Sequence, residues 1–214
     1  MSLKNVMIFG DSYSTFGGII PKGYAAYYSE ENHPESGVDT ADKTWWMQLI
    51  NETDSNLIMN NSWSGSTIGY TGYNNNDCSQ TSSFIYRLRL LKEQGFFEEN
   101  EINTVFVFGG TNDNWCGAPL GELKFSDWEE SDLYSVLPAI PHFFKSLQDT
   151  LPDADIYCLI NTELKPEITE GMKTACEKLG IKAINFEYID KINGHPTYKG
   201  MTDIKEQILK ALND

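Results

Sequence analysis

Ser12 stands in the segment Gly10-Asp11-Ser12-Tyr13-Ser14, directly after the short apolar run Asn5–Phe9. A serine at the end of a buried strand, with glycine before it to permit a tight turn, is presented at the edge of a sheet where a nucleophile would be placed. The segment alone also fits a plain helix start capped by serine or aspartate, and it is not the GxSxG elbow of the α/β-hydrolase fold. Two further sets of small and amide residues follow strand-like runs: Asn60-Asn61-Ser62-Trp63-Ser64-Gly65 and Gly109-Gly110-Thr111-Asn112-Asp113. Each could simply cap a helix or form an Asx-turn. At the ends of successive strands, however, Gly65 can offer a bare backbone N–H and Asn112 a side-chain NH₂ to an oxygen held beside Ser12, the donors an oxyanion hole requires. Of the three histidines, His33 lies in a polar irregular loop and His142 sits between Pro141 and an aromatic pair, where packing is the expected role. His195, just after the fifth strand-like run, lands on the same rim as Ser12. There it could take the serine proton and return it to a leaving group.

These residues need a scaffold that brings strand ends together. Short apolar runs rich in β-branched residues recur at Asn5–Phe9, Leu57–Asn61, Thr104–Phe108, Ile156–Ile160 and Ile181–Phe186, each bounded by turn-forming residues. Between them lie stretches with helical spacing: Thr44–Asn51, Ser82–Gln94, Ser131–Leu151, Glu167–Leu179 and Lys199–Leu212. Strand and helix in alternation predict an open parallel sheet covered by helices on both faces, with its ligand site at the carboxyl ends of the strands. Two stretches exceed a minimal unit: the aromatic, irregular insertion Gly17–Lys43 and the polar loop Gly69–Thr81. Loops of such length in a compact domain are commonly functional.

At 214 residues the chain is expected to form a single domain, 1–214, decorated by the insertion around 17–43. Sixteen basic against 31 acidic residues leave a net charge of −15, which repels phosphate backbones and anionic headgroups, so neither nucleic acid nor a membrane surface is an expected partner. The longest apolar stretch, Leu133–Phe144, is about a dozen residues and carries two prolines, too short to span a bilayer. The amino terminus reads as a strand rather than a signal, and Cys78, Cys116, Cys158 and Cys176 show no CxxC or zinc spacing. A cytoplasmic protein is the expectation, a secreted one remaining open if a leader was removed.

The ordered blocks resemble the SGNH (GDSL-like) hydrolase family. Gly10-Asp11-Ser12-Tyr13-Ser14 matches its first block, Asn60 through Gly65 its second, Gly110-Thr111-Asn112-Asp113 its third and His195-Pro196 its last. The resemblance covers nearly the whole chain. It implies a three-layer α/β/α, flavodoxin-like fold and no metal or organic cofactor. It also implies Ser12 as nucleophile, and the Ser12 N–H, the Gly65 N–H and the Asn112 amide as oxyanion donors. One position departs from the pattern: the family usually places an aspartate three residues before the histidine, where this chain has Ile192. Either a shifted loop lets Asp190 reach the imidazole, or a backbone carbonyl orients the ring and a dyad results.

Trp63 and Trp115 flank the two donor blocks, and Tyr24, Tyr27 and Tyr28 lie in the insertion. Trp63 and Trp115 are therefore expected to line the substrate site, flat rings that suit sugar faces and aryl esters. The function expected is a serine ester hydrolase working through an acyl-enzyme on small acyl esters, O-acetyl groups of carbohydrates among them. Two alternatives stand beside it: a lysophospholipase or acyl-thioesterase directed at lipids, and a non-catalytic relative that binds a glycan. A small-molecule or carbohydrate ester is the expected partner, and the oligomeric state cannot be read.

Overall fold

In the computed structural model, which describes residues 3–213, the five apolar runs lie side by side in one sheet. The strands are β1 (Asn5–Gly10), β2 (Asn56–Ser62), β3 (Thr104–Phe108), β4 (Asp155–Ile160) and β5 (Lys182–Asn185). They run in the order β2-β1-β3-β4-β5, each neighbouring pair parallel. Side chains alternate across the sheet, and both faces are covered, which is why the strands read as continuous apolar runs. Met7, Phe9, Val105, Val107 and Cys158 point to one side, while Val6, Ile8, Phe106, Phe108 and Leu159 point to the other.

The first face is covered by α2 (Phe84–Glu93), α5 (Val136–Thr150) and α6 (Pro166–Leu179), through Phe84, Leu88, Ile140, Phe143 and Met172. The second is covered by α1 (Trp45–Thr53) and α7 (Tyr198–Asn213), through Trp45, Trp46, Leu49, Met201 and Ile204. Two short helices, α3 (Phe96–Glu99) and α4 (Thr111–Trp115), were not foreseen in the periodicity because neither completes two turns. Caps set the helix starts: the Thr44 hydroxyl accepts from the Met47 N–H at 3.4 Å, and the Ser83 hydroxyl from the Tyr86 N–H at 3.2 Å.

The expected helix Ser131–Leu151 is divided. A 3₁₀ turn covers Glu130–Tyr134, Ser135 is extended, and the α-helix begins only at Val136. Pro138 explains the break, since a start at Val136 puts it in the first turn, where a missing N–H costs nothing. The insertion 17–43 holds only two 3₁₀ turns, Pro34–Ser36 and Ala41–Lys43, and is stitched to the first block by its backbone. The Gly17 N–H donates to Tyr28 O at 2.8 Å, and the Tyr27 N–H to Thr15 Oγ1 at 2.8 Å. Among the described residues no helix is long and apolar enough to cross a membrane.

Candidate active site

β1 lies between β2 and β3, so the chain leaves it at the point where strand order reverses, where open parallel sheets place a ligand crevice beyond the carboxyl ends. Ser12 follows β1 into that crevice. It begins a single 3₁₀ turn, Ser12–Ser14, capped by Asp11, whose Oδ1 accepts the Tyr13 N–H at 3.0 Å. Two tryptophans fasten the turn from below: Trp45 Nε1 donates to Ser14 Oγ at 3.2 Å and Trp46 Nε1 to Ser14 O at 2.9 Å. Ser12 is thus 2% exposed on a base held by both tryptophans.

The histidine is delivered by a hairpin. β6 (Lys191–Ile192) pairs antiparallel with β7 (His195–Pro196) across Asn193-Gly194, at φ 50° and 79°. Two central residues at positive φ are what a type I′ turn requires, hence asparagine followed by glycine. The hairpin is tied down by three contacts: the Tyr13 hydroxyl donates to Gly194 O, the Tyr28 hydroxyl to Pro196 O at 2.7 Å, and the Thr197 N–H to Asp190 O at 3.0 Å.

In this frame His195 Nε2 lies 3.0 Å from Ser12 Oγ, and His195 Nδ1 lies 3.2 Å from the Asn193 carbonyl oxygen. A carbonyl can only accept, so Nδ1 carries the hydrogen and Nε2 presents its lone pair to the serine, the tautomer a general base needs. Burial pushes the imidazole pKa down to about 4, against the opposing pull of the Asn193 carbonyl and with help from His33 and Lys191. The ring is therefore neutral at neutral pH.

Asp190 is not brought to the imidazole. Its side chain is exposed and accepts from the Thr197 hydroxyl across the base of the hairpin, so the Asn193 carbonyl occupies the position at Nδ1 that a carboxylate would take. Of the two arrangements open in the sequence, the geometry has the backbone one.

Each of the remaining expected donors keeps an N–H without a partner among the described residues. Gly65, at φ 82°, directs an N–H that no acceptor takes among the described residues, and the Ser12 N–H is likewise unengaged. Asn112 Nδ2 donates to Ser66 O at 3.0 Å while its Oδ1 accepts from the Tyr73 hydroxyl at 2.8 Å. These two contacts fix which way the amide faces, and its second N–H remains for a ligand. Trp115 stands edge-on to the His195 ring with centroids 5.4 Å apart and is 43% exposed. Trp63 lies against Tyr24 of the insertion, ring centroids 4.2 Å apart and planes tilted by 31°.

Three charged groups lie fully buried beneath the rim. Arg87 donates to Asn61 Oδ1 at 2.6 Å, to Gly10 O at 3.2 Å and to Ser66 Oγ at 3.1 Å, binding the first two blocks together. Burial lowers its pKa to about 10. Asp113 accepts from the Ile68 N–H at 3.0 Å and holds the second block against α4, and burial raises it to about 6. Asp11 is raised to about 7 by burial, and its Oδ2 has no hydrogen-bond partner among the described residues.

Sequence reasoning passed over three residues that shape this site, Arg87, Asn193 and Tyr73, and gave Tyr27 no place at His195. Arg87 occupies the i+3 place in the apolar stripe Phe84, Leu88, Leu91, and a charge there was its signal. Asn193 was legible in the Asn-Gly pair. Tyr73 and Tyr27 lie in irregular segments with no periodicity to mark them. Tyr27 stacks face to face on His195, centroids 3.6 Å apart and planes at 9°. Among the described residues no group of three or more His, Cys, Asp or Glu side chains is gathered to hold a metal ion.

Residues 4–212 match the family described as GDSL-like lipase/acylhydrolase. The chain belongs to this GDSL-like, or SGNH, family. Its members are ester hydrolases, and the α/β fold with a five-stranded parallel sheet is theirs. A GDSL-like lipase from Bacteroides ovatus is 38% identical, with a TM-score of 0.90 over 100% of this chain and 99% of that one. Another from Bacteroides uniformis is 39% identical, with a TM-score of 0.90 over 98% of this chain and 95% of that one. An acetyl xylan esterase from the rumen bacterium Butyrivibrio proteoclasticus shares the fold at 15% identity, with a TM-score of 0.60 over 100% of this chain and 64% of that one. A comparison with curated proteins gave no match.

Proposed function

We propose that this GDSL-like hydrolase removes short acyl groups from polar or carbohydrate alcohols through an acyl-enzyme on Ser12. The observation that carries the reading is the 3.0 Å contact between His195 Nε2 and Ser12 Oγ, with Nδ1 already committed to the Asn193 carbonyl. His195 takes the proton as Ser12 Oγ attacks the ester carbonyl. The oxyanion that forms receives the N–H groups of Ser12 and Gly65 and the free N–H of Asn112. The imidazolium then protonates the departing alcohol, and a water, deprotonated by the same ring, releases the acid. The contact favours catalysis over a glycan-binding relative in which the pair is lost.

For the substrate, the argument rests on the rings at the rim. Trp115 is 43% and Tyr73 39% exposed beside the donors, so the alcohol side meets open aromatic surface of the kind that stacks on sugar rings. Tyr24 over Trp63 adds a second aromatic wall. An acetyl xylan esterase built on the same fold is in keeping with that choice. The net charge of −15 works against free fatty acids and anionic lipids.

The experiment is a series of p-nitrophenyl esters from acetyl to palmitoyl, with acetylated sugars beside them, on the wild type and on Ser12→Ala. An acyl tunnel adds about 0.8 kcal/mol per buried methylene, so kcat/KM would climb through octanoyl in a lipid-directed enzyme. The expected result is a fall beyond about four carbons, activity on acetylated sugars, and its loss by several orders of magnitude in Ser12→Ala. An organophosphonate label on a different serine would overturn the reading.

A further inference from the structure

Resting on the reading that His195 is the base for Ser12, we propose that Tyr27 is a positioning residue which does from the face of the imidazole what a carboxylate does from its edge. The family's aspartate position holds Ile192, Asp190 is turned away to Thr197, and a neutral carbonyl is the in-plane partner of the ring. A carbonyl fixes the tautomer but brings no full negative charge to an imidazolium. Tyr27 lies against the ring at 3.6 Å with planes 9° apart, and its other face carries His33 at 3.7 Å and 5°. Such a plate restrains the ring from tilting away from Ser12. The negative face of a phenol also attracts a cation above it, so its effect is largest when the imidazole is protonated, which is when proton transfer has occurred.

The plate is itself held. The Tyr27 N–H is bound to Thr15 Oγ1 at 2.8 Å, and that hydroxyl donates to Ser12 O at 3.1 Å, so the ring's backbone is registered against the nucleophile's own. Behind it, His33 Nδ1 lies 3.2 Å from Glu35 Oε1, which keeps the rear ring parallel. The other groups facing His195 are the rings of Tyr13 and Trp115 and the cation of Lys191, whose Nζ is 3.0 Å from Glu163 Oε2. None of these stacks on the imidazole face.

The test compares Tyr27→Phe with Tyr27→Leu on p-nitrophenyl acetate, reading kcat, KM and the pH profile of kcat/KM. Phenylalanine keeps the ring and should stay within about twofold of wild type, while leucine should lower kcat about tenfold at unchanged KM and move the acid limb down by about half a unit or more. A folded leucine variant with wild-type kcat and acid limb overturns the proposal, as does a phenylalanine variant as impaired as leucine. Should leucine prevent folding, fluorinated phenylalanines at position 27 keep the shape while draining the face of negative charge. A kcat that falls with each fluorine supports the proposal, and an unchanged kcat overturns it. Ser12→Ala in the same assay separates the two ideas: if it retains activity the Ser12 reading fails, whereas an inactive Ser12→Ala beside a silent Tyr27 sinks the tyrosine alone.

Discussion

Asp190 and Asn112 show how far a residue's type constrains its role. In a Ser-His-Asp triad the carboxylate stabilises the imidazolium, and converting it to an amide costs about 10⁴ in kcat. Here the Asp190 carboxylate meets the Thr197 hydroxyl, and asparagine retains an oxygen for that bond. Asp190→Asn should therefore cost less than about tenfold in kcat, measured on p-nitrophenyl acetate, against the full triad penalty if Asp190 served the ring. Asn112 is the contrary case. Its amide is held by Ser66 O and the Tyr73 hydroxyl before any substrate arrives, so its spare donor is preorganised. Asn112→Ala should lower kcat by about 10² to 10³ with KM little changed, as the loss of one oxyanion donor does. If KM moved and kcat did not, Asn112 would be a ground-state contact. Both outcomes come from one set of initial-rate measurements.

At the scale of elements the decisive piece is the β6–β7 hairpin, because it carries both the proposed base and the carbonyl that holds its Nδ1. Gly194 sits at φ 79°, and a methyl group there would lie 3.2 Å from the Trp115 ring. Gly194→Ala should strain the turn, loosening the Asn193 carbonyl from Nδ1 with the sheet intact, so the expected result is a loss of kcat about tenfold or more beside a melting temperature lowered by only a few degrees. The two losses are separable by thermal melting and initial rates on the same sample. This hairpin was not seen in advance, whereas the five strands were. A strand such as Thr104–Phe108, buried on both faces, announces itself as an apolar run, and Phe84, Leu88, Leu91 announce a helix by their spacing. Two paired dipeptides have no period to detect, and only the Asn-Gly pair betrays them. The same reason hid Tyr27: an irregular insertion has no register from which a ring's neighbour can be inferred. Ser12, Gly65 and Asn112 could be located because each closely follows a strand that periodicity marks, whereas His195 lies ten residues beyond β5, within the hairpin.

For the molecule as a whole, pH acts through the buried acids beneath the rim. Asp11 is raised to about 7 and Asp113 to about 6 by burial, whereas unfolded carboxyls titrate near 4, so between these values the folded chain holds the extra protons. These two acids therefore withdraw stability as pH rises from about 4 to 7. His195, lowered to about 4, and His142, lowered by burial, work in the opposite sense over part of that window. The growing negative charge adds to the fall. The melting temperature should be lower at pH 8 than at pH 5, and Asp11→Asn, which can still accept the Tyr13 N–H, should narrow that gap; an unchanged gap would mean that Asp11 titrates normally. The order of the pieces along the chain bears on biosynthesis. Ser12, Gly65, Asn112 and all five sheet strands have left the ribosome once Asn185 has emerged, yet His195 is ten residues further on, 183 positions from the serine it contacts. A nascent chain folding from its amino end can thus assemble the sheet while remaining chemically silent until the β6–β7 hairpin has been made.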